Sequence, residues 1–194
     1  MKKASIILFF AAVVLVAVLG GCTDPSADAP TTQPETVVDA AAQLDASLQE
    51  YWKMVDGELP KDLRLKIYWI SPSIATRKPL CIEDLISIDG VYKIDVSAED
   101  LAANQETLKE LIPAVLHSAE GDYYLDARVY YVFEVGENNK ILEVAMWCHN
   151  ENISGDYGVL VNGVAVEEKP AFFRLIEPFL TEEARDMLKD EMVG

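Results

Sequence analysis

The residue pattern predicts an α+β fold, an antiparallel β-sheet with helices packed on one of its faces. Three observations carry this expectation. Apolar residues step by three or four from Val37 to Val55, the period of a helix. Tyr123 to Val135 alternates apolar and polar, and Ile141 to Cys148 answers it across a turn, as two paired strands would. Asn162-Gly163, flanked by Val159 to Val161 and Val164 to Val166, signals a second hairpin.

The elements follow in order. The first helix opens at Thr36, with Asp39 three residues on as a weak capping-box form, and Gly57 and Pro60 end it. Its apolar face is Val37, Ala41, Leu44, Leu48, Tyr51, Trp52 and Val55, which suits core packing better than a ligand groove. LRLKIYWI, Leu63 to Ile70, alternates and is rich in aromatic and branched residues, so it is expected as a strand. Ser71 to Pro79 is loop-like, and Leu80 to Ile88 fits either a short helix or a strand. Asp89-Gly90 marks a turn before a strand from Val91 to Val96. Ser97 with Asp100 opens a second helix buried through Leu101, Leu108, Leu111 and Ile112, and Pro113 bends or restarts it.

The long strand from Tyr123 is expected to place Tyr123, Leu125, Ala127, Val129, Tyr131, Phe133 and Val135 on one face, with Asp126, Arg128 and Glu134 on the other. Across the turn at Gly136 to Asn139, Leu142, Val144, Met146 and Cys148 join that apolar face. Pro170 starts a last helical region with Phe172, Phe173, Ile176, Phe179 and Leu180, and Thr181 caps a short acidic helix to Met192. No internal repeat is present. A cystatin-like or NTF2-like arrangement fits this order by analogy, which carries no function.

The chain is 194 residues long with a formal net charge of −17, from 16 Lys plus Arg against 33 Asp plus Glu. Length and composition suit one globular domain. The charge argues against a nucleic-acid partner, which needs clustered Lys and Arg. The 51% hydrophobic content excludes a disordered acidic chain. Three cysteines are too few for a disulfide-stapled miniature.

The N-terminus reads as an address. Met1-Lys2-Lys3 precedes an uncharged run from Ala4 to Leu19, which has the length and flanks of a signal-peptide core. Leu19-Gly20-Gly21-Cys22 follows, an aliphatic residue, two small residues and a cysteine. This stretch resembles the lipobox of bacterial lipoproteins, over residues 1–22 only. The resemblance implies cleavage before Cys22 and a diacylglycerol thioether on its sulfur. That would anchor the chain on the extracytoplasmic face of a cell membrane, each buried methylene adding about 0.8 kcal/mol. Residues 1–21 are then a lipoprotein signal peptide, 22–35 the lipidated cysteine and a flexible linker, and 36–194 a single extracytoplasmic domain. The alternative is an uncleaved transmembrane anchor. The linker, TDPSADAPTTQPE, has no large apolar side chain and spans about 20 Å on average.

Candidate chemistry is sparse, and no catalytic residue, metal or cofactor is assigned. Cys81 and Cys148 either form a disulfide, as exported cysteines do, or are two buried thiols. His117, Glu120 and Asp122 make a polar cluster at a helix end that suits capping better than a metal. Asn150 to Asp156 copies half of a calcium loop but has Val161 where the pattern needs Glu, so a turn is expected. No GxSxG, P-loop or dinucleotide fingerprint occurs. Tyr124, Tyr130 and Trp147 point away from the main apolar face, and offer either an aromatic interaction surface or a seat for a second covering layer.

The leading expectation is a membrane-anchored, non-catalytic binding or protein-interaction module. Its partners would be the lipid bilayer through Cys22 and a protein, peptide or envelope polymer, with cationic ones favoured by the acidic charge. A small cell-envelope hydrolase or metal-dependent enzyme using His117 or His149 is one alternative. A structural accessory subunit of a membrane complex is the other.

Overall fold

The computed structural model describes residues 36–111, 123–166 and 169–193, and the side chains of 44–111, 125–146, 158–166 and 170–189. Residues Thr32–Gly194 form one compact unit. The elements are α1 (Thr36–Asp56), β1 (Leu63–Trp69), α2 (Ile82–Ser87), β2 (Tyr92–Val96), α3 (Ala98–Ala103), α4 (Gln105–Lys109), β3 (Tyr123–Val135), β4 (Asn139–Asn150), β5 (Tyr157–Val161), β6 (Val164–Val166), α5 (Lys169–Ile176), a 3-10 turn (Glu177–Phe179) and α6 (Glu182–Val193). The six strands make one sheet in the order β2-β1-β3-β4-β5-β6, with every neighbouring pair antiparallel. The architecture is therefore α+β, as the patterning requires.

Local chemistry accounts for most boundaries. Ser97 accepts the Asp100 backbone N–H at 3.2 Å and donates its hydroxyl to the Asp100 carboxylate at 2.6 Å, closing the expected cap of α3. The helix then breaks at Asn104, so the expected single helix is two short ones, α3 and α4. Thr181 accepts the Ala184 N–H at 3.2 Å at the head of α6. Asn162 and Gly163, at φ 48° and 82°, form the tight turn between β5 and β6, where both central residues need positive φ. The ambiguous run Leu80 to Ile88 is helical in its middle, as α2.

The main face of the sheet carries the larger core. Leu44, Leu48, Tyr51 and Val55 of α1 lie against Leu65, Ile67, Tyr131, Phe133, Val144 and Met146, and α3 to α6 complete the layer. Tyr51 and Tyr131 are wholly buried, yet their hydroxyls donate to the carbonyls of Leu108 (3.0 Å) and Phe172 (2.9 Å). The second face holds a smaller cluster of Ile70, Leu80, Leu85, Ala127, Tyr130, Val132 and Ala145, covered in part by α2. Among the described residues, helices thus dominate one face, and one short helix lies on the other.

The expected unbroken alternation of β3 needs correction. Its pairing with β4 shifts register between Leu125 and Val129. Leu125 and Ala127 consequently pack with Tyr130 and Val132 on the second face, while Val129, Tyr131 and Phe133 keep the main face. A bulge of this kind inserts residues and reverses which side each one takes. The expectation that Cys148 shares a face with Met146 assumed an unbroken strand. β4 shifts register against β5 between those two residues, and Cys148 stands opposite Leu125.

Candidate functional site

The loop from Ser71 to Leu80 is the most constructed surface feature. It leaves β1 where the Ile70 N–H donates to the Arg128 carbonyl (2.9 Å), and returns where the Ala127 N–H donates to the Leu80 carbonyl (2.8 Å). Both ends are therefore tied to the β3 bulge. Asp126 accepts the Leu80 N–H at 2.9 Å. Arg128, only 6% exposed, donates to the Ile74 carbonyl (2.9 Å), the Thr76 hydroxyl (3.2 Å) and the Asp126 carboxylate (2.8 Å). A guanidinium taken out of water is costly unless its donors are used, and its planar fork lets one side chain hold three groups. Arg128 is thus a pin that fixes the loop to the sheet.

The pinned loop presents Ile74, 45% exposed, and the exposed Arg77. Ile74 is one of two large exposed hydrophobic residues among the described residues; Tyr92 is the other. Lys78 pairs with Asp84 of α2 at 2.9 Å. Hydrogen bonding from Lys78, and next from Cys81, holds the Asp84 carboxyl below its ordinary value.

Tyr130 faces the second side of the sheet as expected, but it is 3% exposed and supplies no interaction surface. The covering layer is Tyr68, Leu80 and α2, rather than the first helix. Its hydroxyl donates to Glu143 at 2.7 Å, and Lys140 pairs with the same carboxylate. Burial first, and the Glu143 hydrogen bond next, push the Tyr130 hydroxyl well above its ordinary value. The proton therefore stays on Tyr130, which acts as a hydrogen-bond donor and not as a base.

A cavity of about 310 Å³ lies among Thr107, Glu110, Arg174, Glu177, Pro178 and Arg185, between α4, α5 and α6. Arg174 faces Glu110 across it at 3.7 Å, and Arg185 donates to the Leu180 carbonyl at 3.4 Å.

The remaining candidates are quickly placed. Cys81 sits half-buried at the N-cap of α2. Cys22, and the side chains of Tyr124, Trp147, Cys148 and His149, lie outside the described residues, as do His117, Glu120, Asp122 and the loop before Asp156. The disulfide between Cys81 and Cys148 stays a proposal. Among the described residues, no group of three His, Cys, Asp or Glu could hold a metal ion, and no helix is long and apolar enough to cross a membrane. The pin formed by Asp126 and Arg128 was not foreseen. Its signal is an acid and a base two residues apart in a strand of 13 residues whose one other charged residue is Glu134. Comparison of the chain with protein-family models, with curated proteins and with solved structures finds no match, so the cystatin-like or NTF2-like analogy gains no support.

Proposed function

We propose that this chain is a lipoprotein held at a cell membrane by acylated Cys22, and that residues 36–194 form a non-catalytic binding or protein-interaction module on the extracytoplasmic side. The observation that supports the module is the pinned loop. A buried arginine holds the Ile74 carbonyl and the Thr76 hydroxyl of a ten-residue loop whose ends are bonded to β3, so Ile74 and Arg77 are presented with reduced conformational entropy to lose on binding. The chain carries a formal net charge of −17, which favours cationic proteins, peptides or envelope polymers as partners.

Two measurements test the two halves separately. Cys22→Ala should abolish acylation and leave unprocessed precursor; retained acylation sinks the anchor. Ile74→Asp should leave the fold intact, because its side chain is exposed, and should remove the partner recovered by cross-linking at the membrane. Equal recovery from both proteins would rule out the loop as the contact.

A further inference from the structure

The edge of the sheet carries a second surface, independent of the anchor and of the pinned loop. Among the described residues, β2 is the outermost strand on its side, paired to β1 alone. Tyr92, Lys93 and Asp95 are exposed, and Tyr92 is 53% exposed. A bare strand edge is a template for another strand. We propose that β2 pairs antiparallel with β2 of a second copy of this chain, across a two-fold axis at Ile94.

The sequence of the edge selects this partner and this register. Antiparallel pairing about a two-fold axis normal to the sheet keeps side chains on their own faces, so it must centre on a residue. Centred on Ile94, Lys93 of each copy stands opposite Asp95 of the other, and Tyr92 opposite Val96. Sliding two residues one way sets Lys93 against Lys93, and the other way sets Asp95 against Asp95. Like charges directly opposed on a sheet destabilise the pair, so only the Ile94 register is favourable.

The flanking strands already contain the start of each row. On the second face, Lys66 pairs with Glu134 and lies beside Asp95. Lys93 lies over the Tyr68 ring at 5.9 Å. The proposed pairing extends this to Glu134, Lys66, Asp95 and then Lys93 of the second copy, four alternating charges, with the Tyr68 ring of that copy beneath Lys93. On the main face, Ile67 neighbours Ile94, and the Trp69 ring stacks on Tyr92 at 4.3 Å. The pairing sets Ile94 on Ile94 and brings the exposed Tyr92 beside Val96, which its own core already buries, so Ile94 and the charge pairs carry the contact. The result is a continuous sheet through both copies, joined by a short and therefore weak interface.

The test uses the compact unit Thr32–Gly194, which contains every buried residue of the described chain. Sedimentation equilibrium up to about 1 mM, the range of weak association, should show a monomer-dimer equilibrium. Lys93→Asp and Asp95→Lys should each weaken it by about tenfold, because two attractive pairs become two repulsive ones. Mixing these two variants should restore dimer, since an all-acidic edge then meets an all-basic one. Ile94→Cys should form a symmetric disulfide on mild oxidation, its two copies being directly opposed. Should Asp95→Lys fail to fold by circular dichroism, Lys93→Asp and the Ile94→Cys cross-link still decide the proposal. A protein that stays monomeric at all concentrations overturns the proposal. So does a dimer indifferent to both charge changes, or a mixture no more associated than its components.

Discussion

The two faces of the sheet are held by different forces. On the main face, α1 and α3 to α6 bury a layer of large side chains, with Tyr51, Tyr131, Phe133, Phe172 and Phe173 almost completely removed from water. On the second face, the six-residue α2 and the loop before it cover a small cluster, and Arg128 holds that loop down. The first face depends on apolar area and on close packing. The second depends on one buried cation that directs three hydrogen bonds at loop and carboxylate oxygens. A small cover cannot bury enough apolar area to fix itself, so a polar clamp supplies the difference.

Three substitutions sharpen or break this contrast, from the largest expected effect to the smallest. Phe133→Ala removes a fully buried ring from the main face, in contact with Tyr51 at 5.5 Å between centroids. The loss should be about 4 kcal/mol in urea unfolding, spread over the whole transition. A loss under about 1 kcal/mol would mean that this core does not depend on packing.

Arg128→Met keeps the volume and removes the clamp. It leaves Asp126, at 17% side-chain exposure, without its cation, and should cost about 2 kcal/mol. The effect should be local. Amide exchange at Leu80 and Ile74 should quicken, while the strands β4 and β5 keep their protection. If the loop amides stay protected, the loop is held by its prolines and backbone bonds, and the contrast between the faces fails.

Tyr51→Phe removes the bond to the Leu108 carbonyl and should cost about 1 kcal/mol at neutral pH. Its larger signature is in alkali. Burial raises the Tyr51 hydroxyl above its ordinary 10.0, and Tyr131 and Tyr130 shift the same way. The folded state therefore binds protons that the unfolded chain releases above pH 10. Stability from these groups is complete below pH 10 and falls as pH rises beyond it. The wild-type unfolding midpoint should drop there, and Tyr51→Phe should drop less steeply. Parallel slopes for the two proteins would show that Tyr51 ionises without unfolding.

Much of the fold was legible. The helix from Thr36, the strands of LRLKIYWI and of the Tyr123 hairpin, the Ser97 and Thr181 caps and the Asn162-Gly163 turn all follow from patterns a few residues long. The candidate site was far less so. The pattern places Asp126 and Arg128 only on the face opposite the main apolar one, because the bulge that sets them beneath a loop is a property of the strand pairing. Tyr130 was assigned the correct face, but its burial depends on a helix over 40 residues earlier in the chain.

The sequence by itself determined the periodicity, and with it the helices, the strands and which residues of β1 face the main core. It also set Lys93, Ile94 and Asp95 in one strand, which the strand order then places at the sheet edge. Only the tertiary structure decided where that periodicity breaks, which side of the sheet each end of β3 takes, and which arginine is buried. The physical reason is range. A helix or strand period is set by neighbours within one or two turns of chain. A bulge, a covering layer and a buried ion pair exist only once segments distant in sequence come together and remove one another from water.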